Sequence, residues 1–182
     1  QLKFLKKISL LKKLKLLTVY SKNSDLELIS HKYFNDQQII EVKLKSNKKI
    51  IRFKLNLIGK IQIKNVLMAT LAAINSGLNL NKVEKFISKL KPIEGRLENI
   101  GKLKNNSKVI LDYAHTPDAL NTILNNIKEQ FPQAKIRLLF GCGGDRDKTK
   151  RYKMGLIASK SADVIYITDD NPRGESPSKI RN

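Results

Sequence analysis

The chain has 182 residues, 41% of them hydrophobic, which is enough for one domain or two small ones and too apolar for disorder over most of the length. No run of about 18 apolar residues exists to span a membrane, and the single cysteine, Cys142, excludes an internal disulfide framework and suits a reducing cytoplasm. The net charge of +20 is spread along the whole chain with only 6% aromatic residues, which argues against a specific nucleic-acid surface and for salt-sensitive stickiness.

The chain opens on Gln1 with no signal-peptide pattern, so an internal piece of a longer protein is expected. Residues 2–17 mix Leu, Ile, Phe and Lys as a basic amphipathic helix does, and a surface helix running into a strand at Leu16 to Tyr20 is expected. Strands follow at Leu26 to Ser30, Ile39 to Leu44 and Ile50 to Leu57. Val42 and Leu44 alternate with Lys43 and Lys45, and Ile51, Phe53 and Leu55 with Arg52 and Lys54, which marks strands with one wet face. Ser46-Asn47-Lys48 reads as a hairpin turn. Gly59 closes this β region. Val66, Ala69, Thr70, Ala73 and Ile74 then repeat at helical spacing up to a capping Gly77. A second helix is expected from Lys82 to Leu90, with Val83, Phe86, Ile87 and Leu90 on one face, stopped by Pro92.

At Ile93-Glu94-Gly95-Arg96 the pattern changes, which predicts one domain over residues 1–93 and another over 94–182. Leu97 to Leu103 and Lys108 to Leu111 read as strands joined by Asn105-Asn106-Ser107. Thr116 as N-cap with Pro117 behind it starts a helix that buries Leu120, Ile123, Leu124 and Ile127. A strand from Ile136 to Phe140, a helix from Lys148 to Lys160 and a strand from Val164 to Ile167 complete β-α-β-α-β. Right-handed crossovers would stack these strands in parallel, with helices outside.

Two of these strands empty into polar loops at one edge, Gly141-Cys142-Gly143-Gly144-Asp145-Arg146 and Thr168-Asp169-Asp170-Asn171-Pro172-Arg173. The carboxyl ends of parallel strands are where ligands bind. The glycine loop is neither a Walker A loop nor a dinucleotide fingerprint, and Gly-x-Gly-Gly alone fits a tight turn equally well. Arg146 supplies a guanidinium suited to a carboxylate or phosphate. Asp170, Asn171, Pro172 and Arg173 offer an acceptor, an amide and a guanidinium around a rigid proline, a set for a ligand with both ammonium and carboxylate. His115 either meets phosphate near a helix N-terminus or caps its turn.

Gly59-x-x-Gln62-x-x-Asn65, Glu94-Gly95-Arg96-Leu97-Glu98, Asp112-Tyr113-Ala114-His115-Thr116-Pro117-Asp118, the glycine loop and Asp169-Asp170-Asn171-Pro172-Arg173 occur in one order. In that order the chain resembles the Mur ligases, ATP-dependent amide-forming enzymes of peptidoglycan synthesis, and within them the branch that adds diaminopimelate. The resemblance implies an α/β chain with the end of a central ATPase domain followed by a Rossmann-like C-terminal domain with a parallel sheet. It implies ATP and Mg2+ as cofactors, and UDP-N-acetylmuramoyl-dipeptide and meso-diaminopimelate as partners. A cytoplasmic monomer with no specific nucleic-acid partner is expected. Asn65, Arg96, Asp112 and His115 match nucleotide-contacting positions, and Arg146 and Asp170 to Arg173 match diaminopimelate-binding ones. Gln62 replaces the asparagine more usual at its position. No Gly-Lys-Thr phosphate loop, no counterpart of the carbamylated lysine and no uridine-nucleotide domain is found, so no catalytic or metal residue is assigned and the 182 residues by themselves are expected to be inactive. A related Mur or folylpolyglutamate-type ligase adding another amino acid is the near alternative. A basic nucleic-acid-binding module is the alternative from another class.

Overall fold

Alternating side chains organise the first half of the molecule. A computed structural model describes residues 2–182, and their contacts separate Gln1–Lys91 from Pro92–Asn182 as two units, just ahead of the Ile93-Glu94 boundary expected from the sequence. In the first unit, α1 (Leu2–Leu11) precedes a four-stranded sheet of β1 (Val19–Tyr20), β2 (Leu26–Phe34), β3 (Gln37–Leu44) and β4 (Ile50–Leu55), ordered β1-β2-β3-β4. β1 lies parallel to β2, and β2-β3 and β3-β4 are antiparallel. The register sets Val42 opposite Ile51 and Ile40 opposite Phe53, so the buried half of each alternation shares one face. Onto that face fold α2 (Ile61–Asn75) and α3 (Leu80–Ile87), which bring Ile63, Val66, Leu67, Leu71, Val83 and Ile87 into the same core. Burying each such side chain is worth roughly 1.5–3 kcal/mol.

Several boundaries differ from the sequence reading, each for a local reason. α1 stops at Leu11, where Lys13 turns left-handed (φ 52°) and the Leu14 N–H bonds back to the Ser9 carbonyl. β2 continues to Phe34 because a bulge between Leu28 and Ser30 shifts the phase of the alternation and hides its second half. α2 buries its bulky stripe of Ile63, Val66, Leu67 and Leu71, leaving the small Ala69 exposed. Gly77 ends this helix at φ 92°, with its N–H on the Ile74 carbonyl and the Leu78 N–H on Ala73, a Schellman closure. α3 starts at Leu80 because the Asn79 side chain accepts the Asn81 N–H, and it buries only Val83 and Ile87. Phe86 is exposed, and Leu90 lies beyond the helix end.

The second unit contains β5 (Glu98–Lys102), β6 (Lys108–Leu111), α4 (Pro117–Gln130), β7 (Arg137–Phe140), α5 (Thr149–Ser161), β8 (Val164–Ile167) and α6 (Pro177–Arg181). β7 and β8 pair in parallel, with Phe140 opposite Ile167. β6 pairs antiparallel with β5, so among the described residues the parallel pairing of this Rossmann-like α/β unit is carried by β7 and β8. Thr116 caps α4 by accepting the Ala119 N–H at 3.3 Å, with Pro117 in the first turn. Leu120 and Leu124 of α4 pack with Ile136, Cys142 and Met154, while Ile127 reaches this core only half-buried. α6 was not expected, and the Asp169–Arg181 ion pair ties it to the loop after β8. Among the described residues no helix is long and apolar enough to cross a membrane.

Candidate functional site

Two loops leave the same edge of the β7–β8 pair, and the glycines of the first are where the second packs. A Cβ on Gly141 would stand 2.6 Å from the Thr168 carbonyl oxygen, and one on Gly144 would stand 1.9 Å from that of Pro172. The Gly144 N–H donates to the Asn171 carbonyl at 2.9 Å. In return Arg173 Nη1 donates to the Gly144 carbonyl at 2.8 Å and to that of Asn171 at 3.4 Å. The glycines thus serve close backbone approach, and what approaches is the neighbouring loop.

This packing brings Arg173, Asp170 and Asn171 beside the segment that carries Arg146. The Arg173 guanidinium is held through Nη1, and the Arg173 main-chain N–H donates to Asn171 Oδ1 at 3.3 Å. Arg146 is exposed and makes no hydrogen bond or ion pair with a described residue. Asp170 accepts the N–H of Asn171 through Oδ1. The result is a polar edge with two guanidiniums, a carboxylate and an amide, arranged by main-chain bonds between the loops.

Glu175 holds this edge from beneath, and the sequence reading did not single it out. Arg151 grips its carboxylate with both terminal nitrogens, at 3.0 and 2.9 Å, and the Asp145 N–H donates to it at 2.7 Å. Hydrogen bonds from Arg151 and from the Asp145 main chain pull its pKa down to about 2. Lys148 also pairs with it at 3.4 Å, and Lys150 donates to the His115 carbonyl at 3.0 Å. Lys148, just ahead of α5, and Lys150 and Arg151 in its first turn therefore brace loops. The one available signal was an acidic residue following Arg173 in a lysine-rich chain.

The residues matched to nucleotide contacts in the second unit gather around Tyr113. The Arg96 guanidinium lies 5.3 Å from the centre of its ring, and the His115 ring meets it edge-on at 5.1 Å. Tyr113 is 66% exposed and offers an open aromatic face. Asp112 is committed to the backbone, accepting the Leu97 N–H through Oδ2 and the Ala114 N–H through Oδ1, both at 2.8 Å. His115 Nδ1 lies 3.1 Å from the Tyr113 carbonyl, which makes Nδ1 the protonated nitrogen. Close by, Pro117, Asp118, Asp147, Lys150 and Lys153 line a hollow of about 230 Å³.

Asn65 belongs to the first unit, on the exposed side of α2, where it donates to Gln62 Oε1 at 3.1 Å. The start of that helix is set by a buried amide that the sequence reading passed over. Gln38 Nε2 donates to the carbonyls of Leu57 and Gly59 at 2.7 and 3.1 Å, and its Oε1 faces His31 Nε2 at 3.0 Å. Burial pushes the Cys142 thiol up, so this cysteine is packing. Among the described residues no three His, Cys, Asp or Glu side chains lie close enough to hold a metal ion. These residues do not by themselves make a magnesium site, and no step below is routed through one.

A parallel β-α-β unit that presents polar loops bearing both signs of charge at the carboxyl ends of its strands defines a Rossmann-like domain. Residues 95–182 match the family described as Mur ligase, glutamate ligase domain, and the chain belongs to the Mur ligases. It is 38% identical over 172 residues to the UDP-N-acetylmuramoyl-L-alanyl-D-glutamate–2,6-diaminopimelate ligase of Rickettsia felis, covering 89% of this chain and 32% of that protein. A solved structure of a ligase with the same description matches 97% of the chain at 29% identity and TM-score 0.64, over 36% of its own length. Folylpolyglutamate synthetase from Lactobacillus casei shares the fold at 16% identity and TM-score 0.65, covering 93% of this chain and 42% of its own. The chain thus spans about a third of the length of the curated relatives it matches.

Proposed function

We propose that this chain supplies the end of the ATP-binding domain, over residues 1–93, and the amino-acid-binding domain, over residues 94–182, of a cytoplasmic ATP-dependent ligase. That ligase adds meso-diaminopimelate to UDP-N-acetylmuramoyl-L-alanyl-D-glutamate in peptidoglycan synthesis. The observation that carries this reading is the seating of Asp170 to Arg173 on the glycine loop, which fixes one face of Arg173 and leaves Arg146 exposed. Arg146 and Arg173 take the far carboxylate of diaminopimelate, a group that lysine lacks, and Asp170 and Asn171 take its ammonium and polar atoms. A lysine ligand would leave those guanidiniums unpaired, and sites built around charged pairs reject such analogues strongly.

In the reaction, the γ-carboxylate of the D-glutamyl residue takes the terminal phosphoryl group of ATP, releasing ADP. The diaminopimelate amine attacks the resulting acyl phosphate, and phosphate and a proton leave as the amide forms. The role of this chain is positioning, which lowers the barrier by holding the amine against the acyl carbon. Tyr113, flanked by Arg96 and His115, offers a stacking face for the nucleotide, with Asp112 fixing its backbone. In the first unit, Asn65 on α2 is the residue put forward for a nucleotide contact.

The test is ATP-dependent ligation by the full-length protein, with meso-diaminopimelate and with L-lysine in separate reactions. Diaminopimelate should be strongly preferred, and Arg173→Ala should raise its KM by at least about tenfold, the loss expected for one charged hydrogen-bond pair. Equal use of lysine would remove the substrate assignment, and no ligation of either would remove the ligase reading.

A further inference from the structure

The Glu175 carboxylate joins the two loops that carry the proposed ligand groups. Its Oε1 accepts from the Asp145 N–H at 2.7 Å and from Arg151 Nη2 at 2.9 Å. Its Oε2 accepts from Arg151 Nη1 at 3.0 Å and faces Lys148 Nζ at 3.4 Å. A carboxylate has about four lone-pair directions, and these contacts fill them. With its side chain only 15% exposed, Glu175 has no acceptor left for a substrate ammonium. Its role lies in what it holds. Asp145 answers by accepting the Gly174 N–H at 2.9 Å, and the Glu175 N–H closes onto the Pro172 carbonyl at 3.0 Å. Asp145 and Arg173 both lie in the left-handed region, at φ 50° and 48°, which non-glycine residues keep only where neighbours enforce it. One of these residues precedes Arg146, and the other is Arg173 itself.

We propose that Glu175 is a positioning residue for the incoming amino acid, locking the turns at Asp145 and Arg173 and so setting the Arg146 and Arg173 side chains for its carboxylate. The proposal rests on the ligase reading above and adds a residue through which that site is built. Arg151 is the cation that completes the lock, since it also reaches the Gly143 carbonyl at 3.5 Å.

Glu175→Gln keeps the side-chain volume but turns an NH2 group toward Arg151 or the Asp145 N–H, whereas Glu175→Asp keeps the charge and shortens the reach. In the full-length ligase, Glu175→Gln should raise the KM for the amino acid about tenfold or more. The KM values for ATP and for the nucleotide dipeptide should stay within about twofold, and Glu175→Asp should recover part of the loss. An unchanged amino-acid KM overturns the proposal, as does an equal loss for all three substrates, which is what general destabilisation produces. The wild-type assay is read first. If lysine is used in place of diaminopimelate, the substrate assignment fails, and Glu175 is judged with lysine. If neither is ligated, the function fails, and Glu175 is judged on the full-length protein by amide exchange. There Glu175→Gln should speed exchange at Asp145 and Gly174 about tenfold or more with the α4 amides unchanged. Unaltered exchange at those two amides overturns the lock.

Discussion

At the scale of the residue, two positions show how little room the site allows. A methyl group at Gly144 would fall 1.9 Å from the Pro172 carbonyl oxygen, which is backbone and has no rotamer to escape into. At Gly143 the nearest atom is the tip of Arg173 at 2.7 Å, so a side chain there displaces the Arg173 guanidinium first. Glu175 adds a pH signature. Its carboxyl titrates at about 2 in the folded chain against an ordinary value of 4.5. A depressed carboxylate contributes stability that is fully present above the ordinary value and is lost as pH falls toward the folded one. Between about pH 4.5 and about pH 2 the urea midpoint of the wild type should therefore fall more steeply than that of Glu175→Gln. Parallel curves for the two proteins would contradict the assignment.

At the scale of the element, the strands and helices that present the site are held by buried polar caps as much as by apolar faces. Gln38 is wholly buried in β3, yet it bonds the Leu57 and Gly59 carbonyls just ahead of α2, the helix that carries Asn65. Its two amide hydrogens are used on these carbonyls, so its Oε1 must accept, and His31 donates from Nε2. Replacing Gln38 by Leu leaves these partners short of hydrogen bonds in a dry core, at a cost of about 1–3 kcal/mol. Thermal unfolding and amide exchange over the first turn of α2 should both report it. A neutral Gln38→Leu would mean that water takes over the bonds.

At the scale of the whole molecule, the charge of +20 acts on every polyanion the protein meets. Duplex DNA should bind weakly at low salt and lose most of its affinity between about 50 and 200 mM, because the binding is counterion release without base contacts. Sequence-specific binding that survives physiological salt would restore the nucleic-acid reading. The ligand specificity sits at this scale too. The fold is shared with folylpolyglutamate synthetase at 16% identity, so the architecture does not choose the amino acid. On the proposed reading, the choice falls to Arg146 and to Asp170 to Arg173.

Period and punctuation in the sequence determined most elements. Val42/Leu44 and Ile51/Phe53/Leu55 needed only alternation, Thr116-Pro117 started α4, and Gly77 ended α2. The order of the five motifs was enough to suggest the ligase family that residues 95–182 then matched. Tertiary structure decided what depends on partners distant in sequence. A bulge hid half of β2, the larger apolar stripe turned α2 away from Ala69, and β6 paired with β5. The same holds within the site. Arg146 and Arg173 were legible as guanidiniums in polar loops, because residue type and loop position are local properties. That Arg173 is seated on Gly144, that Tyr113 gathers Arg96 and His115, and that Glu175 locks the turns are decided only when separate segments meet. Hydrogen-bond geometry between such segments has no period along the chain for a sequence to display.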